Sequence, residues 1–136
     1  MSLTLALALA LALAATASSA NAIPVDFQGL WYPAKVDCAA ATAAGSILIH
    51  DDSIVDAASE PETAQFQYIV IEVRSLSKRK IDVHASYMEV SSEEGINPVG
   101  SYLKLGKKGR SLSIETYEED DRRYLQQPRA KYKRCA

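Results

Sequence analysis

Two thiols, two imidazoles, one indole and an unbroken acidic run are the groups in this 136-residue chain whose types and spacing bear on chemistry. Cys38 and Cys135 stand far apart, with none of the C-x-x-C clustering that redox or thiolate-metal chemistry needs. In an oxidising compartment an even pair of this kind predicts one structural disulfide. His50, beside a turn signal, and His84, on the polar face of a strand pattern, are the only histidines. A Ser/His/Asp relay would need one of them next to an activated serine, and no G-x-S-x-G elbow is present. Zinc takes three or four suitably spaced ligands, too many for two histidines once the cysteines are bridged. No catalytic residue, metal site or cofactor is therefore assigned. The run Glu118-Glu119-Asp120-Asp121 lacks the alternate spacing by which calcium loops converge their carboxylates. With Arg122-Arg123 behind it, the run reads as a solvated connection. The 17 acidic residues leave paired carboxylates for polymer hydrolysis open, because sequence does not give their separation in space.

The elements that must position these groups begin after a leader. Leu3 to Ala15 is a Leu/Ala run of about a dozen residues, and Ala20-Asn21-Ala22 offers an A-x-A cleavage pattern, so residues 1–22 read as a secretory signal peptide. The usual Lys or Arg ahead of the run is missing. Because the run falls short of the roughly 20 apolar residues that a bilayer core requires, no transmembrane segment is expected. The remaining chain, 23–136, is the size of one domain.

Along that domain the pattern is strand after strand. Phe27 to Tyr32 reads as a short aromatic strand, and "SILIHDDSIVDA", Ser46 to Ala57, as a hairpin turning at Asp51-Asp52. "AQFQYIVIEVRS", Ala64 to Ser75, is apolar on both alternating faces, which predicts a central strand. After the basic turn Ser77 to Lys80, Ile81, Val83, Ala85 and Tyr87 share one face of the next strand. Gly95 and Pro98 punctuate the loop Ser91 to Pro98. "SYLKL", the tight turn Gly106 to Gly109 and "RSLSIETY" follow, and "RAKYKRC" closes the chain after a polar stretch from Glu118 to Pro128. No long segment has helical apolar spacing. About seven or eight strands joined by short turns predict an all-β domain, a small antiparallel β-barrel or barrel-like sandwich in up-and-down meander order.

Gly29-x-Trp31 on the first strand resembles the G-x-W signature of lipocalin and avidin-type barrels, in which the tryptophan plugs one end. It is also similar to the start of small exported bacterial barrels that inhibit proteases or lysozymes and carry a disulfide. The first likeness implies an internal small-ligand site, for which Trp31, Tyr68 and Tyr87 are the candidate contacts. The second implies a filled interior, with contact made through exposed tips such as Ser91 to Pro98 and Gly106 to Gly109.

Charge is unevenly divided. From Asp26 to Glu72 there are eight acidic residues against Lys35 alone, whereas from Val73 to Ala136 fourteen basic residues face nine acidic ones. The closing segment, Arg122 to Cys135, carries six cations and no acid, and reads as a solvated edge strand blunted against aggregation. Clustered cations also steer anions of any chemistry. Together these features predict an exported protein, periplasmic or secreted and bacterial by resemblance, that acts as a non-catalytic binding or inhibitor-like module. The alternatives are an enzyme acting on an envelope polymer and a lipocalin-like carrier. Its expected partners are an envelope protein, a glycan or a small apolar ligand, and not nucleic acid.

Overall fold

The computed structural model describes residues 19–57, 66–89, 97–118 and 130–135. Its strands in chain order are β1 Ser19–Ala20, β2 Gly29–Pro33, β3 Ile47–Ile49, β4 Ser53–Asp56, β5 Phe66–Ser77, β6 Lys80–Glu89, β7 Asn97–Leu105, β8 Ser111–Glu118 and β9 Ala130–Lys133. Each strand from β2 to β8 pairs antiparallel with its successor, and β9 returns to pair with β2. Eight strands thus close into an up-and-down barrel, while β1 lies outside the ring against β5. The expected all-β meander is present, in its barrel form. Closure follows from the alternation along each strand: the inward set includes Trp31, Ile47, Ile49, Ile81, Val83, Leu103 and Leu112, all buried. Rolling the sheet onto itself covers that face and leaves no long edge unpaired.

Three local readings are corrected and one is sharpened. Phe27 is not in the first strand; Val25–Phe27 is a 3₁₀ turn that folds the Phe27 ring into the core, so an apolar turn residue mimicked a strand residue. β5 is central as expected, bonded to both β4 and β6, but its two apolar faces have a local cause. A β-bulge at Ile71, between the pairs Val70–Ala85 and Glu72–His84, switches the inward face from Tyr68 and Val70 to Val73, and Ile71 is turned out to 57% exposure. Pro98 does not end a loop but sits inside β7 opposite Ser86, one residue before the described pairing of β7 with β8 begins at Val99. Finally, β9 is no edge strand, for it bonds to both β8 and β2.

The apolar run from Leu3 to Ala15, the tip 91–96 and the acidic run beyond Glu118 lie outside the described residues. The buried core begins at Ile23, whose N–H donates to the Asp51 carbonyl at 2.8 Å. Among the described residues no helix is long and apolar enough to cross a membrane.

Cys38, in the short turn Cys38–Ala40, is bonded to Cys135 just beyond β9, with Cα atoms 5.5 Å apart and a sequence separation of 97. The bridge crosses the seam where the last strand meets the first. Chain-entropy reasoning gives a loop of ~100 residues about 4.7 kcal/mol, as an upper guide. Reduction and alkylation are expected to lower unfolding free energy by about 2–5 kcal/mol in urea titrations; a midpoint that does not move would show that the seam holds without the bridge.

Candidate functional site

The hairpin turns β3–β4, β5–β6 and β7–β8 lie at one end of the barrel, together with the 3₁₀ turn Val25–Phe27 and the chain's exit at Arg134. Trp31 closes this end from inside. It is fully buried, and its indole N–H donates to the Phe27 carbonyl at 2.9 Å, the partner a buried indole requires. Over its outer face lies the Arg134 guanidinium, 4.0 Å from the ring centroid. That guanidinium donates to the carbonyls of Asp26 and Gln28, both at 2.9 Å, and to that of Gly109 at 3.4 Å. One side chain at the C-terminus thereby ties the N-terminal turn, the β7–β8 turn and the indole together. Gly29 makes room for it: its φ is +109°, and a Cβ there would stand 3.0 Å from Arg134 Nη1.

The outer side of this end is a cleft of about 500 Å³. Its cations are Lys78 and Arg79 from the β5–β6 turn, Lys107 and Lys108 from the β7–β8 turn, and Arg134. Among the described residues Asp26 is its sole acid, and Val25, Leu105, Gly106 and Gly109 also line the wall. The two turns are held side by side by the bond from the Leu105 N–H to the Arg79 carbonyl, 2.8 Å. The glycines shape the second turn, where Gly109, at φ +66°, donates to the Gly106 carbonyl at 3.0 Å. Arg134 is engaged by carbonyls and indole. Lys78, Arg79, Lys107 and Lys108 are exposed, and among the described residues none has a carboxylate within 4.0 Å.

Tyr68 and Tyr87 face each other across β5 and β6, toward the opposite end, with ring centroids 5.1 Å apart. Burial pushes the Tyr68 hydroxyl up to about 12, helped by the neighbouring Tyr87 and Tyr132. Tyr132 is raised as well, by burial and then by the negative charge of Asp56. Of the three candidate ligand contacts, these two tyrosines are brought together, whereas Trp31 spends its polar group on Phe27 and its outer face on Arg134.

On the outer wall, Asp82 is buried to 8% exposure. It accepts from the Tyr117 hydroxyl at 2.9 Å and stands 3.1 Å from His84 Nε2. The Tyr117 ring covers Gly100, where a Cβ would overlap it. The hydroxyl joining this pair donates to the carboxylate, the reverse of a serine donating to imidazole. His50 is exposed at the β3–β4 turn. Among the described residues no group of three His, Cys, Asp or Glu is placed to hold a metal ion.

In sequence Arg134 is one of six equivalent cations between Arg122 and Cys135. The signal that separates it is the pleat: with Tyr132 directed inward, Arg134 two residues on shares its face, while Lys131 points out. Comparison with known protein families, curated proteins and solved structures gives no match.

Arg134→Ala is expected to cost about 2–3 kcal/mol, from the lost cation–π contact and charge-assisted hydrogen bonds, with Arg134→Lys restoring only part. Urea unfolding followed by Trp31 fluorescence measures this, and a loss within about 0.5 kcal/mol of zero, the range of an ordinary surface substitution, would remove the latch role. A second expectation concerns alkaline pH. The folded Tyr68 pKa lies above the unfolded value of 10.0, so its contribution is intact below pH 10 and is lost as pH rises toward 12. Tyr68→Phe should lose roughly 2 kcal/mol less than wild type across that window, by stability curves at each pH.

Proposed function

We infer that this protein is an exported, non-catalytic binding module that makes contact through the cation-lined cleft at the Trp31 end. The observation that carries this reading is that four exposed cations from two separate hairpin turns converge there, with no described carboxylate paired to them. Like charges held together at a surface raise the local potential and draw anions, whereas a merely solvated face intersperses both signs. The disulfide and the leader-like N-terminus support export. The closed barrel is consistent with the lipocalin-like and inhibitor-like resemblance, in which a scaffold with a packed end presents its turns.

A second reading, a carrier of one small apolar ligand, is favoured by the half-buried tyrosines Tyr68, Tyr87 and Tyr132 against the core. Eight-stranded barrels have interiors wide enough for side chains or one such ligand.

Retention on isolated envelope material tests the first reading. Wild type should be retained at low ionic strength and released as salt rises, while Lys78→Glu/Arg79→Glu/Lys107→Glu/Lys108→Glu should lose at least about tenfold in retention, as expected when clustered charge directs association. Trp31 fluorescence and an intact Cys38–Cys135 bridge establish that the variant is folded. Equal retention of the two proteins would refute the cleft. Loss on Tyr68→Ala alone would shift the assignment to the interior.

A further inference from the structure

The chemistry of the cleft wall narrows its partner, an inference that rests on the binding-module reading above. Among the described residues its side chains include no aromatic ring, no amide and no hydroxyl; they are lysines, arginines, one aspartate and aliphatics. Sugar rings are held by stacking faces and by amides or carboxylates that fix hydroxyls, and single-stranded nucleic acid is held by aromatic stacking. Among the described residues the wall has no stacking face and no amide, and its one carboxylate, Asp26, stands among five cations. What the wall offers is positive charge on long, mobile stems, which suits phosphate oxygens approached without strict geometry.

A second observation points to where those phosphates come from. Val25, in the wall itself, is 76% exposed, and Leu76, two residues before Lys78, is 53% exposed. Leu76 is turned out by the second register shift of β5, between Ser75 and Ser77. Val25 and Leu76 put exposed apolar surface next to the cations of the two turns. They match a bilayer interface, where headgroup phosphates take the cations and the acyl boundary takes the apolar groups.

We propose that the Trp31 end docks on an anionic phospholipid surface, with headgroup phosphates in the cleft between Lys78–Arg79 and Lys107–Lys108 and with Val25 and Leu76 entering the interfacial layer. Docking is peripheral and reversible: a few cations and two small apolar contacts fall far short of the insertion energy of a spanning helix. The rigid floor matters to it. Arg134 is committed to carbonyls and indole, so the two turns keep their separation without spending the four outer cations on each other's support.

Vesicle flotation with the full processed protein tests this, using equal parts phosphatidylglycerol and phosphatidylcholine against pure phosphatidylcholine. Wild type should float with the anionic vesicles only and be released at ~0.5 M salt, where the Debye length falls to a few ångströms. Each charge removed from the rim should weaken partitioning about fivefold, so Lys107→Gln/Lys108→Gln should weaken it about 25-fold. Lys104→Gln/Lys131→Gln, which removes the same charge from exposed sites outside the cleft, should weaken it far less. Val25→Ser should reduce flotation several-fold while leaving calorimetric binding of inorganic pyrophosphate unchanged. Flotation with neutral vesicles, equal loss in the rim and control pairs, or no flotation would each overturn the proposal. Pyrophosphate binding without flotation would also overturn it, in favour of a soluble phosphate. If envelope retention depends on the cleft while vesicles fail, the binding-module reading stands and its partner is not lipid.

Discussion

The seam between β2 and β9 is the constraint on which the rest of the barrel depends. A barrel exists only if its last strand finds its first, and here the two share only the register pairs Tyr32–Lys133 and Pro33–Tyr132. The longer ladders, β5 with β6 and β6 with β7, form between neighbours in sequence and need no closure. The seam instead joins segments about a hundred residues apart, a contact whose loop entropy must be met before any hydrogen bond rewards it. Three further devices reinforce it. The bond from the Ala34 N–H to the Lys131 carbonyl, 2.9 Å, extends the ladder; the Cys38–Cys135 bridge removes much of the closure entropy; and Arg134, one residue before that cysteine, reaches over Trp31 to the N-terminal turn.

With the seam fixed, the two ends of the barrel diverge in chemistry. At the Trp31 end the space is taken by large apolar side chains, Ile23, Phe27, Trp31 and Leu105 among the buried ones, and Arg134 caps them. Toward the other end the inward positions pass to Tyr68, Tyr87 and Tyr132, whose hydroxyls retain a polar character and, for Tyr68 and Tyr132, ionise less readily because of burial. The bulge at Ile71 divides the two regimes by changing which residues of β5 face inward. A filled end is what lets the short hairpin turns outside it stand as a fixed rim, and a rim of fixed spacing is what turns four separate lysines and arginines into one electrostatic feature.

Much of the fold was legible in the residues. Period-two alternation in Ile81–Val83–Ala85, glycine punctuation at Gly106 and Gly109, and the absence of helical spacing marked antiparallel strands and their turns, because each of these is a local property of backbone sterics and one-sided burial. The places where local reasoning failed are those where a neighbour decides. Phe27 is buried from a turn because the barrel's end lies above it, Pro98 is drawn into β7 by its pairing with Ser86 of β6, and β9 is covered on both sides because β2 curls round to meet it. The candidate site was less legible. The basic turns at Ser77 to Lys80 and Gly106 to Arg110 were visible separately, but nothing in their sequences places them side by side.

The sequence by itself pointed to an all-β chain, to one possible pairing of its two cysteines and to Gly29-x-Trp31 as a barrel-opening pattern, with no C-x-x-C, G-x-S-x-G or calcium-loop spacing written along it. These follow from composition, periodicity and the number of possible partners, none of which needs three-dimensional knowledge. Tertiary structure alone decided that the sheet closes into a ring, that Arg134 of six terminal cations is the one laid on the indole, and that the remaining charges of two hairpins line a common cleft. The reason is physical: alternation specifies which face of a strand is buried, but the curvature and register that bring distant strands and turns together are set by how all the buried faces pack at once.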